Sequence, residues 1–293
     1  IPFDGQRAYV MLQRLCDLGS RMSGSEGMRR QQELLAEHFQ SLGGQVEFQR
    51  FRIRDPRDGS PVPLANLIVH WHPDRKERIL LCAHYDTRPF PDRDPDPRKR
   101  KSLFVGANDG ASGVAVLAEL GRHMPSLDGK YGVDFVLFDG EEFVFDDDRD
   151  EYFLGSNVFA RQYVQEPPEY SYRWGVLLDM VGDAQLQIYQ ERYSMRWRDT
   201  RPLVQDIWRV ARKLGVREFI PRVKYEIRDD HLPLHEVARI PCCDIIDFDY
   251  PRPASRVSRD SYWHTTHDSP DKCSALSLAK VGWVIHEWLK QVD

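Results

Sequence analysis

Apolar positions recur along the chain with two different periods. Between Gln6 and Leu18, Tyr9, Leu12 and Leu15 fall on one helical face. The stretch SGSE, Ser23 to Glu26, has the spacing of a capping box. Met28, Leu34, Leu35, Phe39 and Leu42 then continue at helical spacing until Gly43 and Gly44 stop the pattern. The period next shortens. VEFQRFRI (46–53) alternates, and LANLIVHW (64–71) reads as its neighbour. ILLCAH (79–84), VDFVLFDG (133–140), GVLLDMVG (175–182) and IPCCDIIDFDY (240–250) are short continuous apolar runs, as expected of strands buried on both faces. GASGVAVLAELGRHM (110–124), PLVQDIWRVARKLG (202–215) and SLAKVGWVIHEWLKQV (277–292) read as helices. Buried strands alternating with helices predict an α/β fold: a central, mostly parallel mixed sheet flanked by helices, with an antiparallel edge from the early strands. No internal repeat or linker interrupts 1–293, so one catalytic domain is expected.

Composition narrows the partners. The 41 basic and 46 acidic residues give a formal net charge of −5, without the basic excess of a nucleic-acid binder. No apolar run approaches the roughly 18–20 residues of a membrane span. The cysteines Cys16, Cys82, Cys242, Cys243 and Cys273 are odd in number and lack a repeated spacing, so neither a disulfide framework nor a zinc–thiolate site is expected. The chain begins at Ile1, which is compatible with a removed leader; export to a periplasmic or extracellular compartment stands as an expectation.

The chemistry gathers at the ends of the apolar runs. ILLCA stops at His84-Tyr85-Asp86, VDFVLF at Asp139, Glu141 and Glu142, and GVLL at Asp179. In open α/β sheets ligands bind beyond the carboxyl ends of the strands, so parallel strands would bring these groups to one edge. Adjacent carboxylates such as Glu141 and Glu142 repel each other, and burial sharpens the repulsion. A divalent cation removes the conflict by coordinating one glutamate and leaving the other free as a base. Asp109, before a helix, also fits an N-cap, and His264 also fits a surface histidine. HExxH, GxSxG, P-loop and GxGxxG motifs are absent from the sequence.

Taken together, AHYDT (83–87), GANDGASGVA (106–115), DGEE (139–142), LLDMVG (177–182), DDHLP (229–233) and YWHTTHD (262–268) resemble the zinc exopeptidase-like superfamily, which holds bacterial-type zinc aminopeptidases and animal-type glutaminyl-peptide cyclotransferases. The resemblance runs from GSRMSGSEG (19–27) to the last helix. It implies that Asp109, Glu142 and His264 bind zinc, that Glu141 is the general acid/base, and that Asp86 orients His84. In the aminopeptidase branch His84 and Asp179 complete a second zinc site bridged by Asp109. In the cyclotransferase branch one zinc suffices, and Asp179 joins Asp229 in an acidic hydrogen-bond network. Trp263 before His264, as a substrate-pocket indole, and Asp229 before Asp230-His231 favour the cyclotransferase. GANDGASG, together with FVFDDDRDEYF (143–153) where animal cyclotransferases carry a pocket tryptophan, favours the aminopeptidase. The expected substrate is the N-terminus of a peptide or protein. Long loops at 88–102 and 146–152 are candidate lids.

Overall fold

The structure, a computed structural model, describes residues 2–248 and 261–293. The amino-terminal helices are α1 (Gly5–Asp17) and α2 (Glu26–Ser41). Strands β1 (Gln45–Arg54), β2 (Pro61–Trp71) and β3 (Glu77–His84) lead to α3 (Ala111–Leu120), β4 (Gly132–Phe138), α4 (Leu154–Gln165) and β5 (Ser171–Asp179). The rest comprises β6 (Ile188–Gln190), α5 (Arg192–Arg196), α6 (Arg201–Leu214), β7 (Phe219–Val223), α7 (His231–Glu236), β8 (Cys242–Ile246) and α8 (Ala275–Leu289). Among the described residues the main sheet has the order β1-β2-β4-β3-β5-β8. The expected antiparallel edge is β1 and β2, and β4, β3, β5 and β8 are mutually parallel.

Alternation along β3 explains its uninterrupted apolar run. Ile79, Leu81 and Ala83 join a core with Leu12, Phe39, Val114, Ile207 and Val284 from α1, α2, α3, α6 and α8. Leu80 and Cys82 point the other way, onto Phe159 and Ala160 of α4 and Leu234 of α7. Each leucine so buried contributes roughly 1.5–3 kcal/mol. With both faces covered, the carboxyl-terminal edge is where this sheet is open. Register there pairs His84 with Phe138 and Asp179 with Ile246. No helix among the described residues is long and apolar enough to cross a membrane.

Three local differences from the sequence reading have physical causes. Helix α2 is capped by Ser25, whose side chain accepts from Met28 N, not by Ser23. The Ser23 hydroxyl instead donates to Asp139 at 2.6 Å. Helix α4 escapes periodicity because its buried face contains Gly155 and Ser156 besides Phe159 and Ala160. The last strand ends at Ile246, and Asp249 and Tyr250, which the sequence reading included in it, lie outside the described residues.

A polar knot pins β2, β3, β4 and β5 together. Buried Asp134 accepts from His70 Nδ1 at 2.7 Å, Arg78 Nε at 2.8 Å and the Tyr172 hydroxyl at 2.7 Å. Burial opposes charging His70, but hydrogen bonds to Asp134 and Glu47 prevail and hold the imidazolium up to about 9. A folded-state value above the ordinary 6.5 stabilises fully below pH 6.5, and that contribution is lost as pH rises through about 9. Thermal unfolding between pH 6 and 10 should therefore show a loss of at most about 3 kcal/mol from this group. His70→Gln should flatten the slope, and an unchanged slope would remove His70 as its source.

Candidate metal centre

Asp109 occupies the turn before α3, held from behind by Asp268. The Asp268 carboxylate accepts from Asn108 N at 2.7 Å and Asp109 N at 3.1 Å. Gly110 follows with φ of +84°, and a Cβ there would stand 2.9 Å from His84 Cε1. Glycine is therefore required both by the backbone and by the close imidazole. The Asp109 side chain looks two ways. Oδ1 is 3.2 Å from His84 Nε2, which is also 3.2 Å from Asp179 Oδ1. Oδ2 is 3.4 Å from His264 Nε2, which is 2.8 Å from Glu142 Oε1.

The paired glutamates sit on the turn after β4, where Gly140 has φ of +77°. Asp86 accepts both of their backbone N–H groups, from Glu141 at 3.1 Å and Glu142 at 2.9 Å. Its oxygen is 3.5 Å from His84 Nδ1. Asp86 thus fixes the glutamate turn more tightly than it holds the imidazole it was expected to orient. The other flanks are strained: Met180, after Asp179, and His264 itself have φ of 47° and 55°. Non-glycine residues in that region persist where their surroundings over-determine them, as at functional sites.

Donor sets converge as Asp109–Glu142–His264, His84–Asp109–Asp179 and His84–Glu141–Glu142, each with its atoms within 4.8 Å of one another. Asp109 Oδ2 is buried without a hydrogen-bond partner. Burial raises the Glu142 and Glu141 carboxyls, and neighbouring carboxylates add to the effect. Burial also opposes charging His264, yet Glu142 and Asp109 hold it up to about 9. His84 is raised well above its ordinary range by Asp109, Asp179 and Asp86 against the same opposition. In protonated form both imidazoles are counter-charges for the crowded acids. A divalent cation does the same while taking neutral imidazoles and carboxylates as ligands. The nitrogen and oxygen donors suit zinc, and the first two sets share Asp109 as zinc bridges share a carboxylate.

The set opens into a pocket of about 400 Å³ lined by Glu141, Asp179, Asp229 and Trp263, among others. The Trp263 ring lies 4.0 Å from that of His264 and 5.1 Å from Phe248. Asp229 is 3% exposed, and its carboxyl is pushed well up by burial, then by Asp179 and Asp230. The two candidate lid loops meet at the rim, where Arg88 pairs with Asp92 and Asp147. Arg88 N also donates to Glu142 Oε2 at 3.2 Å. Asp109, Glu141, Glu142, Asp179, Asp229, Trp263 and His264 thus line one pocket, with His84 behind Asp109 and Asp179 and with Asp86 behind the glutamate turn. Asp268 was missed. It sits within YWHTTHD, but nothing in that string foretells that it would cap the turn around residue 108, 160 positions away.

The sequence pattern of peptidase family M28 matches residues 66–289. The crystal structure of Fimbriiglobus ruber glutaminyl cyclase is similar at 39% identity and a TM-score of 0.91, covering 99% of this chain and 96% of that one. A leucine aminopeptidase precursor from Bacteroides thetaiotaomicron is similar at 30% identity and a TM-score of 0.88, covering 100% and 99%. Among curated relatives, the glutaminyl-peptide cyclotransferase of Gloydius blomhoffii is 24% identical over 294 residues, covering 89% of this chain and 75% of its own. Two further curated relatives are matched over only 47% and 38% of their own lengths.

Proposed function

The chain belongs to peptidase family M28, and we propose that it is a zinc-dependent glutaminyl-peptide cyclotransferase. It converts the N-terminal glutamine of peptides to pyroglutamate with release of ammonia, and 1–293 acts as one catalytic unit. The observation that carries this reading is Asp229, a buried acid on the pocket wall whose carboxyl is pushed upward by its burial and by Asp179. Asp229 belongs to none of the converging donor sets, so it is placed to hydrogen-bond the departing amide nitrogen rather than to hold a metal. The likeness to the Fimbriiglobus ruber enzyme supports the same choice.

Asp109, Glu142 and His264 would hold one zinc, which when bound acts as a Lewis acid on the γ-carbonyl of the substrate glutamine. The rest falls to the chain. Trp263 walls the pocket and holds the side chain folded, so that the α-amine lies within reach of the side-chain amide carbon, Cδ. Glu141 accepts a proton from that amine as the nitrogen–carbon bond forms, then returns it to the amide nitrogen as the carbon–nitrogen bond breaks. Ammonia leaves, and no water is consumed. Burial lifts the Glu141 carboxyl well above its usual range, which favours a group that must both take and return a proton. Asp179 and Asp229 hold the departing nitrogen.

The dinuclear aminopeptidase reading also rests on a specific observation: His84 Nε2 is 3.2 Å from both Asp109 and Asp179. One assay separates the two. The zinc-loaded protein is incubated with a Gln-initiated and a Leu-initiated peptide, and the products are weighed. Loss of ammonia from the first is expected. Free leucine from the second, with the first peptide left uncyclised, would replace the proposal with the aminopeptidase.

A further inference from the structure

The floor of the pocket is acidic, whereas the described residues lining its mouth mix acids with guanidiniums. Asp109, Glu141, Glu142, Asp179 and Asp229 line the floor. Of the described residues lining the mouth, the two acids are engaged. Asp147 pairs with Arg88 and accepts from the Tyr152 hydroxyl at 2.8 Å, and Glu226 is 2.6 Å from Arg196. Two guanidiniums remain among the described lining residues. Arg93 stacks 4.1 Å over the Trp263 ring while its backbone N–H donates to His264 O at 3.1 Å, so it is fixed beside the metal set. Its guanidinium is half exposed and reaches Asp147 only at 3.9 Å. Arg228, next to Asp229, also lines the pocket and is exposed. Among the described residues no acid is paired with it.

We infer that Arg93 and Arg228 make the mouth of this pocket selective for peptides whose second residue carries a carboxylate. The inference rests on the cyclotransferase reading. An N-terminal glutamine entering side chain first places its α-amine over the acidic floor and its next residue at the rim. A peptide with a positive leading end and a negative second residue matches that field at both points. The carboxylate can come from a Glu or Asp side chain or from the terminus of a dipeptide. Stacking on an indole keeps the Arg93 guanidinium in place and spares part of the ordering cost of a flexible side chain.

The test is ammonia release, as kcat/KM, from Gln-Glu-Ala, Gln-Gln-Ala and Gln-Lys-Ala amides, and from the dipeptide Gln-Ala as free acid and as amide. Exposed ion pairs are individually weak, but attraction in one peptide and repulsion in another add, and should separate Glu from Lys by about tenfold. Free acid should exceed amide by about threefold. Arg228→Glu should invert the Glu/Lys ratio, Arg93→Ala should reduce it, and about 0.5 M salt should compress it. Preference in either arm supports the inference and says which carboxylate is read. Ammonia release with ratios within about twofold in both arms, or a ratio that Arg228→Glu does not move, overturns the inference alone. A variant that slows all peptides alike is structural and counts against its residue as a selector. Absence of ammonia release from every Gln peptide overturns the cyclotransferase reading, and this inference with it.

Discussion

Glu141→Gln keeps its zinc and its fold but turns over N-terminal glutamine about 10²–10⁴-fold more slowly. The substitution is nearly isosteric, so the pocket keeps its shape. The hydrogen bond that places the residue runs from the backbone N–H of Glu141 to Asp86, and an amide side chain does not disturb it. What disappears is the only property the mechanism asks of this side chain, the capacity to take a proton and give it back. The loss should fall on kcat and leave KM nearly unchanged, as for an interaction made only in the transition state. Metal analysis makes the result decisive, because Glu141 also belongs to a donor set with His84 and Glu142. Zinc lost together with activity would make Glu141 a ligand. Zinc retained with near-normal turnover would remove it from the mechanism.

The sheet was legible because burial on both faces leaves a plain mark. Ile79 to His84 tolerates a polar residue only at its end, since the side chains before it enter one core or the other. That end was also where the chemistry lay. A strand that stops at His84 or Asp179 cannot hide the residue in either apolar core, so its polar group needs a polar partner, which here includes the other strand end. At Gly110 and Gly140 a side chain would meet His84 or Leu64. What stayed hidden was support that no local pattern encodes. Asp268 holds Asp109, and Ser23 reaches Asp139 across 116 positions. Either would pass for a turn residue in sequence. Helix α4 was hidden for the opposite reason. Close approach of Gly155 to Asn66 and Asp139 substitutes for apolar bulk, so the helix carries too weak a stripe to be read.

His264→Ala should abolish zinc-dependent activity through the metal itself. Zinc in four-ligand sites is worth about 10–16 kcal/mol, and an even division gives each ligand about 2.5–4 kcal/mol, or roughly 10²–10³ in affinity. The structure adds a second cost. His264 Nε2 faces both Glu142 and Asp109, so removing the ring leaves buried Glu142 without its nearest cation and Asp109 with His84 alone. The variant should therefore bind zinc weakly and also unfold at a lower temperature than the parent before any metal is added. Zinc titration with calorimetry and thermal denaturation reads both effects. In the parent chain zinc should raise the unfolding temperature, since it binds the folded state alone, and at the same zinc concentration the variant should lose most of that rise. Near-parental affinity would mean that the ion rests on His84 and Asp179 instead. A count near two ions per active chain, falling to one in His84→Ala, would give both sites a role and favour hydrolysis over cyclisation. A count near one, unaffected by His84→Ala, leaves Asp179 free to work with Asp229 on the leaving ammonia, as cyclisation requires.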